Sequence, residues 1–208
     1  MGVETVLEGY EESASELIRR YEALDPAALY APVAEALPEV PCRVLDIGAG
    51  TGRDAAWLAA QGHAVLAIEP VRTLREAGQR LHPEAGIRWL DDRLPDLPRV
   101  RALEERFDFI LLSGVWQHLP SAEQARAMPV LATLLAPGGR LVLSLRHGPG
   151  AANRPCFEAA PEVVIESGRA AGLALMLHRT APSVQEENRC RGVTWTWLVF
   201  SVIQRPSR

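Results

Sequence analysis

The spacing of hydrophobic positions along this 208-residue chain changes period more than once. In the first forty residues Ala14, Leu17, Ile18, Tyr21 and Leu24 recur at helical spacing, and Pro26, Pro32 and Pro38 punctuate the stretch after them, which predicts an N-terminal helical flap over 1–40. From Arg43 onward, short apolar runs alternate with amphipathic stretches. The runs 43–47, 64–68, 87–90, 107–112 and 140–145 read as strands with helices between them, an order that implies parallel strands and right-handed crossovers. Beyond Pro161, residues 162–171 read as a helix and 173–179 as a strand. Residues 193–203 then alternate: Trp195, Trp197, Val199 and Ser201 fall on one side, Thr194, Thr196, Leu198 and Phe200 on the other. No long helix separates these last two strands, so they should pair antiparallel, as a hairpin whose loop runs over 182–192. The expectation is a single α/β domain over 1–208. Its doubly wound seven-stranded sheet is mostly parallel, with one reversed strand in a C-terminal hairpin and helices on both faces.

The chemistry is concentrated where the first strand meets the first helix of the sheet region. Val44-Leu45-Asp46-Ile47-Gly48-Ala49-Gly50-Thr51-Gly52-Arg53 turns a buried strand through three glycines into a helix over 54–60. Glycine permits the tight turn and lets a ligand approach backbone where a Cβ would collide. Seventeen residues after Gly52, Glu69 ends the next strand. Adjacent parallel strands end side by side, so Glu69 faces the same crevice and can accept both hydroxyls of a ribose. A dinucleotide fingerprint wants its third glycine where Arg53 stands, and here it arrives one residue early, at Gly52. Asp46, two residues before Gly48, would repel a pyrophosphate and suits a ligand with a cationic end.

Composition narrows the field. The net charge of −4 gives no sequence-wide attraction to phosphate backbones or anionic lipid, so neither nucleic acid nor membrane is an expected partner. All 22 basic residues are arginine, which removes Schiff-base, Walker-A lysine and Ser-Lys chemistry. Cys42, Cys156 and Cys190 form no CxxC pair, so no metal site or disulfide framework is expected. The sequence opens without a basic-then-apolar leader pattern, and no apolar run approaches the roughly 18 residues needed to cross a bilayer. A soluble protein of the cytoplasm is expected.

Asp46-Ile47-Gly48-Ala49-Gly50-Thr51-Gly52 together with Glu69 resembles motifs I and II of the class I S-adenosylmethionine-dependent methyltransferases, which have a Rossmann-like fold. Asp91-Asp92 resembles the acidic element after their third strand, Phe107 to Ser113 their fourth strand, and Leu135 to Leu141 the helix end, turn and fifth strand. The likeness is strongest over 42–146, and Gly52-Arg53-Asp54 with Leu58 and Gly62-His63 is similar to small stand-alone members such as the tellurite-resistance and quinone-biosynthesis methyltransferases. The resemblance implies S-adenosylmethionine as cofactor. Gly48, Ala49, Gly50 and Gly52 would line its methionine part, with Asp46 beneath them, and Glu69 would hold the ribose. Asp91 or Asp92 would accept from the adenine amino group while Leu94 packs on the ring, and Ser113 closes the fourth-strand match and joins this set. Arg53 or Arg20 would pair with the methionine carboxylate.

The implied activity is in-line transfer of a methyl group to a small-molecule acceptor, for which the flap and residues 147–208 would build the pocket. Tyr10 is the candidate lid over the sulfonium, since aromatic faces favour cations. His147, leaving the fifth strand at its carboxyl edge, is the candidate base facing the acceptor. His118 reads as a structural histidine and Cys156 as an inert thiol. Trp195 and Trp197, preceded by Arg189 and Arg191, either wall the acceptor pocket or pack the sheet edge. The rival readings are an NAD(P)-dependent oxidoreductase and a non-catalytic protein that binds S-adenosylmethionine.

Overall fold

The computed structural model describes residues 3–203. Helices α1 (Val3–Glu12), α2 (Ala14–Glu22) and α3 (Pro26–Tyr30) form the flap. Then come β1 (Arg43–Ile47), α4 (Arg53–Ala60), β2 (Ala64–Ile68), α5 (Arg72–Leu81), β3 (Arg88–Leu90), α6 (Pro98–Arg101), β4 (Phe107–Leu112), α7 (Ser121–Leu134), β5 (Leu135–His147), α8 (Pro161–Ala170), β6 (Leu173–Pro182), α9 (Glu186–Cys190) and β7 (Thr194–Val202). The seven strands form one sheet in the order β3-β2-β1-β4-β5-β7-β6. β1 to β5 are mutually parallel, and β7 runs antiparallel to both β5 and β6. This is the expected fold, six strands one way and one reversed.

Both faces of the central strands are buried, which is why their sequences are apolar nearly throughout. Leu45, Ile110, Leu112, Leu141, Leu143 and Phe200 point to one side and pack with α6, α7 and α8. Val44, Phe109, Leu111, Val142, Trp197 and Val199 point to the other and pack with Tyr30, Val33 and α4. Each such side chain contributes about 1.5–3 kcal/mol by leaving water. A third apolar cluster fastens the flap: Ala14 and Leu17 of α2 pack on Val71 and Leu74, with Leu7, Tyr10, Ile18 and Tyr21 around them.

Four regions differ from the expectation by more than a single residue. The flap helix is two helices, because the chain leaves helical geometry at Ser13 (φ −93°, ψ 1°); Tyr10 and Tyr21 therefore stand on different helices. β5 begins at Leu135 because that residue already pairs with Phe107; the ladder then shifts register, and Arg140 pairs with Phe109. Gly139 is pressed into the shift, where a Cβ would lie 2.9 Å from the carbonyls of Ala136 and Phe107. β6 runs three residues further than its alternation suggests, since a bulge between Leu175 and Leu177 turns Met176 outward, 65% exposed, and breaks the period. The hairpin loop carries α9, too short for helical periodicity to register. Among the described residues no helix is long and apolar enough to cross a membrane.

The order of strands reverses between β1 and β4, whose carboxyl ends are adjacent. A crevice must open there, because the connections leaving the two strands run to opposite sides.

Candidate active site

A cavity of about 300 Å³ occupies this crevice, at the small end for ligand sites, floored by the sheet's carboxyl edge and roofed by the flap. Its glycine loop is built by backbone. The amides of Gly48 and Ala49 both donate to the Ile68 carbonyl, at 2.8 and 2.9 Å, tying the end of β1 to the end of β2. Gly48, Gly50 and Gly52 all have positive φ, at 71°, 57° and 77°. Their surroundings differ. A Cβ on Gly48 would lie 2.4 Å from Val115 and one on Gly52 2.6 Å from Trp89, whereas one on Gly50 would meet only the Tyr21 ring, at 3.4 Å. Gly48 and Gly50 both line the cavity, and over Gly50 only the Tyr21 ring of the flap lies close.

Glu69 is 4% exposed and lines the cavity with both oxygens anchored. Oε2 accepts from the Gly50 amide and Oε1 from the Val71 amide, each at 2.7 Å. Burial pushes its carboxyl up to about 7 although the two amides pull it down. Asp46 is buried beside the loop and does not line the cavity; its Oδ2 has no hydrogen-bond partner among the described residues. Burial, with the Asp54 carboxylate nearby, holds Asp46 well above the usual carboxylate range.

Arg53 and Asp54 open α4 as a clasp between loop and flap. The guanidinium donates to both Asp54 oxygens, at 2.8 and 2.7 Å, and to the Tyr21 carbonyl at 3.0 Å, while the Tyr30 hydroxyl donates to Asp54 Oδ2 at 2.7 Å. Arg20 also lines the cavity and pairs with Glu16 and Glu187. Asp92 lines the cavity with its oxygens given to backbone, accepting from the amides of Arg93, Arg99 and Val100 at 2.8–2.9 Å. It therefore shapes the turn into α6. Asp91 is exposed, lies near Arg75 and Arg99, and does not line the cavity. Leu94 and Ser113 do.

Opposite the glycine loop, Tyr10 reaches from α1 to the segment after β4. Its hydroxyl is 2.9 Å from His118 Nε2, and His118 Nδ1 is 3.0 Å from the Pro155 carbonyl. A carbonyl only accepts, so the imidazole proton sits on Nδ1, and Nε2 accepts from the Tyr10 hydroxyl. Burial pushes His118 down to about 4, so the ring is neutral at pH 7. The Arg154 guanidinium lies 5.2 Å from the Tyr10 ring centre.

The structure thus brings Gly48, Ala49, Gly50, Arg53, Glu69, Asp92, Leu94, Ser113, Arg20 and Tyr10 around one cavity. Asp46, Gly52, Asp91 and His147 stay off it. Gly52 starts α4 in a left-handed conformation packed on Trp89. His147 points across to β7, with Nε2 2.8 Å from Thr196 Oγ1, so the base expected there does not face the cavity. Trp195 lines it, with Arg146 5.7 Å from its ring centre, while Trp197 is core. Sequence reasoning missed Arg146, Gln117 and Arg154 and set His118 aside. The signal available for His118 was its place just past the carboxyl end of β4, the rule that had pointed to His147.

A family model described as a methyltransferase domain matches residues 16–198. The chain belongs to this methyltransferase family. In fold, this methyltransferase chain is similar to the 1,6-didemethyltoxoflavin-N1-methyltransferase of Burkholderia thailandensis, whose structure holds 1,6-didemethyltoxoflavin and S-adenosylhomocysteine. The TM-score is 0.69 at 21% identity, covering 96% of this chain and 88% of that one. It is also similar to a TehB-like SAM-dependent methyltransferase of Corynebacterium glutamicum, with a TM-score of 0.64, 21% identity and 93% and 98% coverage. In sequence, the methyltransferase is 36% identical over 108 residues to the biotin biosynthesis bifunctional protein BioHC of Cellvibrio japonicus, spanning 52% of this chain and 20% of that protein. It is 31% identical over 107 residues to an uncharacterized methyltransferase of Mycobacterium bovis, spanning 51% of this chain and 41% of the relative. These curated relatives are matched over less than half of their own length.

Proposed function

We propose that this chain transfers a methyl group from S-adenosylmethionine to a small-molecule acceptor. The observation that carries the reading is Glu69, a buried carboxylate held by two amides at the cavity floor beside Gly50, where an added Cβ would meet only the Tyr21 ring. Its remaining lone pairs suit the paired hydroxyls of a ribose. Leu94 offers an apolar seat for the adenine, and Asp92 keeps the adjoining turn in shape. Of the two arginines expected at the methionine carboxylate, Arg20 is the better candidate. Its partner acids are mostly exposed and exchangeable, whereas Arg53 is committed to Asp54.

The cofactor supplies, when bound, an electrophilic methyl group on a sulfonium. The chain's task is to hold the acceptor in line, exclude water and take a proton where the acceptor atom carries one. Tyr10 closes the flap side. Its hydroxyl, donating to a neutral His118 whose other nitrogen is fixed by Pro155, can accept a proton from the acceptor while passing its own to Nε2. The modest size of the cavity supports a small acceptor, and the free thiols of Cys42, Cys156 and Cys190 suit a reducing cytoplasmic setting. Calorimetric titration with S-adenosylhomocysteine, NADH and NADPH in parallel tests the reading. One equivalent of S-adenosylhomocysteine should bind and neither nicotinamide should; binding of a nicotinamide alone would overturn it.

A further inference from the structure

Six arginines among the described residues line the cavity, and they fall into two groups. Arg20, Arg53 and Arg93 each pair with a carboxylate: Glu16 and Glu187, Asp54, and Glu4. Arg146, Arg154 and Arg191 make no ion pair among the described residues. Arg146 and Arg191 each spend one nitrogen on a loop carbonyl, that of Pro149 at 2.6 Å and that of Gly150 at 3.1 Å. Arg154 Nη1 is buried and has no hydrogen-bond partner at all among the described residues. A guanidinium nitrogen taken out of water without an acceptor is costly, and the half-buried Arg146 and exposed Arg191 add two more cations without a paired carboxylate to the same cavity.

The arrangement is nevertheless held in place. Asn153, next to Arg154, donates to the Gly9 carbonyl, Glu12 and Ser13, pinning the loop to the flap. The Arg154 amide closes a turn onto the Ala151 carbonyl at 3.0 Å. The guanidinium groups lie over aromatic rings, Arg154 on Tyr10 and Arg146 on Trp195. The carboxylates that line the same cavity cannot serve as partners, because Asp54, Glu69 and Asp92 are bound to Arg53, to Tyr30 and to backbone amides.

Resting on the methyltransferase reading, we infer that the methyl acceptor is an anion, whose carboxylate or phosphate group is received by Arg154 with Arg146 and Arg191 beside it. The guanidinium fork matches either group through paired N–H donors, and the unmet Nη1 supplies one of them. Such an acceptor completes the base as well. Burial holds His118 down, and the charges of Arg154 and Arg146 push it further; an anion between them removes that push as the acceptor arrives.

The test is calorimetric titration of protein saturated with S-adenosylhomocysteine, at fixed ionic strength, using benzoate, phenyl phosphate and neutral benzamide. At least one anion should bind saturably and at least tenfold more tightly than benzamide, and the tighter of the two separates carboxylate from phosphate recognition. Arg154→Gln should abolish that preference while S-adenosylhomocysteine affinity stays within twofold. Arg191→Gln should reduce it severalfold and covers the case in which the first variant misfolds. Equal affinity for anion and amide, no saturable binding of either anion, or full preference retained by a folded Gln variant overturns the inference and leaves the methyltransferase reading standing. Failure of S-adenosylhomocysteine to bind the unmutated protein overturns that reading, and the inference falls with it.

Discussion

The two walls of the cavity differ in how their charges are paired and are finished to different degrees. On the β1–β2 side, Glu69 and Asp92 present carboxylates whose oxygens already accept from five amides. On the side built by the end of β5 and the loops after β5 and α9, Arg146, Arg154 and Arg191 pair with no acid among the described residues, and one guanidinium nitrogen is buried without an acceptor there. A wall whose polar groups are satisfied by its own backbone holds its shape before a ligand arrives. A wall of unpaired cations is stable only in so far as loops and aromatic rings hold it, and its charge is answered by what binds. On the proposed reading, the first is a cofactor site ready in advance and the second a site that its ligand completes.

The contrast can be broken most sharply at Gly50. Gly50→Val places a branched side chain at φ 57° and against the Tyr21 ring. It should weaken S-adenosylhomocysteine binding by at least a hundredfold, about 3 kcal/mol, with a cooperative melt retained. Undiminished binding by calorimetry would show that the loop does not face the ligand.

Next in size is a pH dependence confined to the satisfied wall. With its carboxyl near 7 in the folded chain against 4.5 for an ordinary glutamate, Glu69 holds a proton that the unfolded chain releases. Its contribution to stability is therefore complete below about pH 4.5 and lost as pH rises through about 7, on the order of 3 kcal/mol. A ribose needs the ionised form, so S-adenosylhomocysteine affinity should rise several-fold from pH 6 to pH 8 and binding should release a proton. Calorimetry in buffers of different ionisation enthalpy reads that release, and Glu69→Gln should remove it.

A smaller effect separates the adjacent aspartates. Asp92→Asn replaces an acceptor of three amides with a group that has only one oxygen, and should cost roughly 1–3 kcal/mol in urea unfolding. Asp91→Asn, exposed, should cost less than about 0.5 kcal/mol. Smallest of all in its effect on the ligand, His147→Ala should leave S-adenosylhomocysteine affinity within twofold and cost only about 1 kcal/mol of stability through the lost Thr196 bond. A large loss of ligand binding in that variant would return His147 to the cavity.

The cofactor wall was largely legible because its residues are consecutive. A strand, a glycine turn and a helix succeed one another from Val44 to Ala60, and the acid that meets them ends the very next strand. Local stereochemistry and the parallel rule suffice to bring Glu69 to Gly50. They do not say what surrounds each glycine. Gly48 and Gly52 are explained by Val115 and Trp89, side chains from distant elements. Nor could the Asp91-Asp92 pair be resolved, since the difference is made by amides seven and eight residues further on, at the start of α6.

The acceptor wall shows the limit. His147 ends β5 and His118 lies just past the end of β4, and the same rule applied to either; only the pairing of β5 with β7 turns the first toward Thr196, and only the flap brings Tyr10 to the second. By itself the chain's pattern determined seven strands with the last pair antiparallel, the glycine turn and its acid, because period and stereochemistry act over neighbouring residues. Tertiary structure alone decided that three arginines, one near the end of β5 and two from the loops after β5 and α9, share a cavity with no acid paired to them among the described residues, because desolvation and charge depend on what lies close in space, whatever its distance along the chain.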